Sequence, residues 1–240
     1  MKRVDFYNIP LDLGSEEEII SLIEKSLVNK EQISVSFINA HCYNVLCKDE
    51  EYKNHISNSF DLVLNDGIGV KIGAKLKKIN IEHNLNGTDF VPAVLRGTNT
   101  DSKAFFLGAA EGVAEKAVSL MNESIGFEKV IASHSGYFDK DQTAIDIINE
   151  SGAEILIVGM GVPNQEKWIS ENKHKMTTIK VLIAGGAVID FMSGRVKRAP
   201  KLFRSLGMEW LFRLLNEPRR LFKRYIWGNF LFFINIARSK

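Results

Sequence analysis

At 240 residues, 45% hydrophobic and 25% charged, the chain has the composition of a folded protein with room for one large domain and an appendage, which excludes disorder as its default state. Its formal charge of +2 conceals an uneven distribution: residues 195–240 carry 12 Lys or Arg against 2 Asp or Glu, leaving 19 basic and 27 acidic residues before them. Two cysteines, Cys42 and Cys47, exclude a disulfide framework and read as free thiols, and the five histidines show no metal-ligand spacing.

Near the start, Asp5, Asp12 and Glu16 to Glu18 interrupt what would have to be the apolar core of a signal, so no export signal is expected. A Ser15/Glu18 capping box opens a helix over 15–27. Short β-rich apolar runs follow at 33–38, 61–64, 104–107, 129–132, 155–158 and 181–184. Helical spacing lies between them at 42–54, 69–76, 88–95, 111–122, 141–149 and 165–173. This alternation predicts an α/β domain over 1–194, with a mainly parallel sheet flanked by helices and ligands at the carboxyl ends of its strands. Beyond Gly194, Phe203, Leu206, Trp210, Leu211, Leu214 and Leu215 recur at helical spacing, and Leu221, Phe222, Tyr225 and Ile226 resume the stripe. The prediction for 195–240 is a basic, aromatic-rich appendage of two amphipathic helices, with Pro218 early in the second. Its longest apolar stretch, about 12 residues, falls short of the roughly 20 a membrane span requires, so it can lie on a bilayer without crossing it.

Three strand-end loops could carry chemistry. Asp66 ends the run Leu62-Val63-Leu64-Asn65 and precedes Gly67-Ile68-Gly69. It reads either as a general base taking a proton from a substrate hydroxyl or as the cap of the next helix. The glycines there are one residue too widely spaced for a dinucleotide fingerprint. The loop Gly159-Met160-Gly161-Val162-Pro163-Asn164-Gln165-Glu166 offers close backbone approach at Gly161 and polar groups at Gln165 and Glu166 for sugar or base hydroxyls. Gly185-Gly186 opens a short helical run whose free N–H groups suit a diphosphate, and Asp190 within it could accept from a ribose or uracil. Asn39 closes the first predicted strand and could orient a hydroxyl or acetamido group. Asp139 and Asp141 read as a solvated first helical turn rather than a metal-binding pair.

Taken in order, these segments resemble the WecG/TagA/CpsF glycosyltransferase family (glycosyltransferase family 26). The resemblance runs from about residue 35 to 228. It rests on Asn39-Ala40, Asp61 through Gly69, Gly87-Thr88-Asp89, Phe106-Leu107-Gly108, Gly136-Tyr137-Phe138, the Gly159 to Trp168 segment, Gly185-Gly186 with Asp190-Phe191, Arg198-Ala199-Pro200-Lys201, and Glu209 through Leu215 with Glu217-Pro218-Arg219-Arg220. It implies a Rossmann-like fold of GT-E type and an inverting, metal-independent transferase without a cofactor. Such an enzyme moves N-acetylmannosamine, its uronic acid or a hexose from a UDP-sugar to a sugar on a polyprenyl-diphosphate lipid, for cell-surface polysaccharide. On this basis Asp66, Asn39 and Gln165 are the expected catalytic residues. Gly108, Tyr137, Gly161, Glu166, Gly185, Gly186, Asp190, Arg213, Arg220 and Arg224 are expected to bind substrate, with Arg204, Arg219 and Lys223 turned to lipid headgroups. The expected partners are the UDP-sugar, the lipid acceptor and an anionic membrane surface at the inner face of the cell membrane, not nucleic acid; the apolar stripe is also compatible with a homo-oligomer. Phe37 and His83-Asn84-Leu85-Asn86 depart from the family pattern where sugar recognition is expected. The alternatives are a nucleic-acid-binding protein using the basic tail and an NAD-dependent oxidoreductase.

Overall fold

A computed structural model describes residues 1–99 and 101–239. Eight strands, β1 (Lys2–Asp5), β2 (Pro10–Leu13), β3 (Ile33–Ile38), β4 (Leu62–Asn65), β5 (Ala104–Gly108), β6 (Val130–His134), β7 (Ile155–Gly159) and β8 (Val181–Ala184), form one sheet in the order β1-β2-β4-β3-β8-β7-β5-β6. All neighbours are parallel except β1 and β2. Successive side chains on a strand point to opposite faces, and both faces are covered. Phe105 and Leu107 of β5 join one hydrophobic cluster with Tyr43, Val63 and Trp168. Ala104 and Phe106 join the other, with Phe90, Val94 and Ile157. The α/β fold expected from the alternating pattern is the fold observed.

Two local expectations change. The hairpin β1/β2 is unannounced in the sequence, because four-residue strands containing Lys2, Arg3, Asp5 and Asp12 show no apolar period. Asp12 is buried there; it takes two hydrogen bonds from Arg3, at 2.8 and 2.7 Å, and one from the Val63 N–H at 2.8 Å. The single helix expected over 42–54 is two, Ala40–Leu46 and Glu50–Ser59. Asp49 caps the second by accepting from the Tyr52 N–H at 2.9 Å, the competition with helix continuation typical of a short acidic side chain.

The tail is likewise more segmented than expected. Helices Lys201–Ser205 and Glu209–Asn216 lead to Pro218–Phe222, whose axis continues through a π-helical turn at Lys223–Trp227 into Gly228–Arg238. Pro218 sits in the first turn, where a missing N–H costs nothing. The last helix is anchored in the core: Phe232 and Ile236 are fully buried, and the Phe232 ring meets Tyr43 edge-on at 5.5 Å. Among the described residues no helix is long and apolar enough to cross a membrane.

Candidate active site

The carboxyl ends of the strands open into a cleft of about 980 Å³. Its walls come from the loops after β3 to β8 and from the tail. Of the predicted residues, Asn39, Asp66, Tyr137, Gly161, Gln165, Gly185, Gly186, Asp190, Arg213, Arg220 and Arg224 all line it. The structure thus brings together residues as distant in sequence as Asn39 and Arg224. Gly108 and Glu166 lie outside the lining. Gly108 has φ +145°, and a Cβ there would stand 2.5 Å from the Gly159 carbonyl oxygen, so it serves the close approach of two strand ends. Glu166 is 0% exposed, beneath the cleft floor.

Asp66 is half-buried just beyond β4, its N–H bound to the Ile38 carbonyl at 2.8 Å. It does not cap the following helix, Ile68–Leu76, whose cap position is Gly67 and has no side-chain hydrogen bond. Asn84 accepts from the Gly67 N–H at 2.7 Å, so the segment that departs from the family pattern holds the Asp66 turn from behind. Asn39 uses both ends of its amide. Its oxygen caps helix Ala40–Leu46 by accepting from the His41 and Cys42 N–H groups, each at 3.0 Å, and its nitrogen donates to Asp66 at 3.1 Å. Burial raises the Asp66 carboxyl above the ordinary aspartate range; the Asn39 bond opposes this, Glu209 adds to it, and Arg224 and Arg213 oppose it. An oriented carboxylate with raised basicity, facing a cleft, is equipped to receive a proton.

Three tail arginines, Arg213, Arg220 and Arg224, line the same cleft. Arg213 stacks on the Phe191 ring at 5.2 Å, and Arg224 lies 5.8 Å from the Tyr225 ring centre. Among the described residues neither enters an ion pair, and the Nε of each is buried without a hydrogen-bond partner. Arg220 is held by Glu217. Unpartnered guanidinium groups in a cleft are positioned to bind an anion. Tyr137, 82% exposed, stands at the rim.

The sequence reading of the third loop needs correction. The N–H groups of Gly185 and Gly186 are not free for a diphosphate: the first donates to the Val158 carbonyl at 2.8 Å and the second to Gln165 Oε1 at 2.9 Å. Gln165 Oε1 also accepts from the Gly161 N–H at 3.2 Å, while its Nε2 donates to Glu166 Oε1 at 2.8 Å. Gln165 therefore ties two loops together, with one N–H left over for the cleft.

Other features escaped sequence reasoning. His41, one of the five histidines without metal-ligand spacing, lines the cleft. Burial, with the Arg224 charge adding to it, pushes its imidazole down to about 4, so it is neutral at pH 7. Its position three residues past the end of β3 was the available signal. Asp89, in the first turn of helix Gly87–Gly97, accepts from Arg198 through both oxygens at 2.9 Å, and Arg198 Nε reaches Glu209 at 3.0 Å. Arg204 turns to Asp89 at 3.6 Å rather than outward. This ion cluster pins the tail over the cleft. A Glu51, His55, Glu171 group has spacing compatible with a metal ion but is not part of the cleft lining.

A carboxylate equipped to accept a proton, in one cleft with unpaired arginines, suits a transferase that displaces a phosphorylated leaving group. The chain matches the glycosyl transferase WecG/TagA/CpsF family over residues 4–240; it belongs to that family and is a glycosyltransferase. Among its relatives is an N-acetylglucosaminyldiphosphoundecaprenol N-acetyl-beta-D-mannosaminyltransferase of Bacillus subtilis (strain 168), 28% identical over 222 residues that make up 92% of this chain and 86% of that protein. A protein of the same name from Staphylococcus aureus (strain MRSA252) is 27% identical over 226 residues, 91% of this chain and 87% of that one.

Proposed function

We propose that the protein transfers N-acetylmannosamine from its UDP derivative to the N-acetylglucosamine of a polyprenyl-diphosphate lipid, with inversion and without a metal ion, in the synthesis of a cell-surface polymer. The observation that carries this reading is the placement of Asp66, Arg213 and Arg224 in one cleft; the names of the relatives favour the donor and acceptor. The acceptor oxygen forms a bond to the anomeric carbon as its proton passes to the Asp66 carboxylate. On the opposite side the bond from that carbon to the β-phosphate oxygen breaks, and the electron pair leaves with UDP. The negative charge gathering on UDP meets the guanidinium groups, which supply the electrostatic stabilisation a metal gives elsewhere.

The tail's outer surface supports peripheral attachment to a membrane at its inner face. Leu215, Phe222, Ile226, Trp227, Phe230 and Phe233 are exposed, beside exposed Arg219 and Lys223. Contiguous apolar and basic surface of this kind suits a layer of anionic headgroups, where a lipid-linked acceptor is found.

The test is a panel of UDP-sugars offered with a short-chain polyprenyl-diphosphate N-acetylglucosamine acceptor, read by mass spectrometry with and without EDTA. One added N-acetylhexosamine from UDP-N-acetylmannosamine, undiminished by chelator, is the expected product. Transfer of a different sugar would revise the donor, and loss of transfer in EDTA would overturn the metal-independent mechanism.

A further inference from the structure

Glu166 is a carboxyl group with no exposed surface and, among the described residues, no ion-pair partner and one oxygen, Oε2, without a hydrogen-bond partner. Leucine would fill a similar space without the desolvation cost of an acid. The acid's shortest side-chain bond runs to Gln165: Oε1 accepts from Gln165 Nε2 at 2.8 Å, while the Ser36 hydroxyl on β3 stands at 3.5 Å from the same oxygen. Gln165 itself is 2% exposed.

A carboxamide can fit its cavity in two orientations, related by exchange of oxygen and nitrogen. Here two donors, the N–H groups of Gly161 and Gly186, converge on one end of it. The flipped amide would present its own N–H groups to both. An acceptor fixed at the other end makes the productive orientation the only satisfied one, and Glu166 is that acceptor. β7 and β8 are adjacent parallel strands, and the Gln165 oxygen bridges the loops that leave them.

We infer that Glu166 is a positioning residue: by accepting from Gln165 Nε2 it fixes the orientation of that amide, and through it the spacing of the Gly161 and Gly186 loops that floor the cleft. The residue first read as a substrate ligand thus acts through another, without touching substrate.

The test compares full-length Glu166→Gln, which keeps a carbonyl acceptor, with Glu166→Leu, which does not. Amide hydrogen exchange at Gly161 and Gly186 should quicken about tenfold in Glu166→Leu and return to the wild-type rate in Glu166→Gln, while the Gly185 amide, bound within the sheet to Val158, stays unchanged in both. If Glu166→Leu does not fold, Glu166→Met makes the same comparison. Unchanged exchange at Gly161 and Gly186 in the variant without an acceptor, or equal acceleration at Gly185, overturns the inference. A kinetic arm rests on the proposed donor: KM for the UDP-sugar should rise several-fold in Glu166→Leu with kcat little altered, and recover in Glu166→Gln. Absence of transfer by the wild type would refute the proposed donor and acceptor, leaving the exchange result to decide the role of Glu166.

Discussion

Replacing Glu166 by Gln should make the protein more stable at pH 8 than at pH 5 relative to wild type. Burial pushes the Glu166 carboxyl from 4.5 to about 7, against the opposing bonds from Gln165, its own backbone N–H and Ser36. The fold therefore prefers the neutral acid. Below pH 4.5 both the folded and unfolded chains carry it protonated, and nothing is lost. Between pH 4.5 and 7 the unfolded chain ionises freely while the folded one resists, so stability falls as pH rises; above about 7 the full penalty is present. At about 1.4 kcal/mol per pKa unit this amounts to roughly 3 kcal/mol. The neighbouring groups do not obscure the effect, because burial holds the Cys42 thiol at about 12 and the Tyr52 hydroxyl well above its ordinary value, leaving both neutral throughout. An amide cannot ionise, so Glu166→Gln lacks this loss. Urea denaturation of both proteins at pH 5, 6, 7 and 8 should give a difference that grows to about 3 kcal/mol in favour of the variant. A difference independent of pH would refute the reasoning.

Three further outcomes follow from the geometry. Arg213→Ala and Arg224→Ala should each weaken UDP binding by about ten- to a hundredfold, the scale of one charge-assisted hydrogen bond of 1.5–3 kcal/mol; calorimetry showing wild-type affinity would remove the arginines from the diphosphate site. Phe232→Ala should destabilise by about 3–5 kcal/mol, since its ring fills the space between Tyr43 and Gly73. A loss below about 1 kcal/mol in thermal or chemical unfolding would mean that the last helix is not part of the core. Arg198→Ala leaves Asp89 and Glu209 without their shared cation, and tryptic cleavage within the tail should accelerate about tenfold while peptides of the sheet keep their wild-type rate.

The parallel sheet was legible because a strand buried on both faces is a continuous apolar run, and Ala104–Gly108, Ile155–Gly159 and Val181–Ala184 stand out against their polar surroundings. Asp66 was legible for a related reason: polar residues immediately after such runs lie where ligands gather. The β1/β2 hairpin was not, because its pairing depends on Arg3 and Asp12, a contact that periodicity does not register. The partners of individual groups were also hidden. Gly185 and Gly186 looked like free donors, yet one bond to the sheet and one to Gln165, 21 residues away from Gly186, remove them. Similarly, the basic tail announced its charge, but not that Arg198 and Arg204 are neutralised by Asp89 while Arg213 and Arg224 carry no such pairing.

The central claim is that Asp66 removes the acceptor's proton while the tail arginines hold the departing UDP. Single-turnover transfer from UDP-N-acetylmannosamine to the polyprenyl-diphosphate acceptor, measured for wild type and Asp66→Asn alongside UDP affinity, tests it most directly. Asp66→Asn should keep an intact fold and UDP binding within about twofold of wild type, with a rate lower by at least about two orders of magnitude. Near-normal turnover by Asp66→Asn would contradict it.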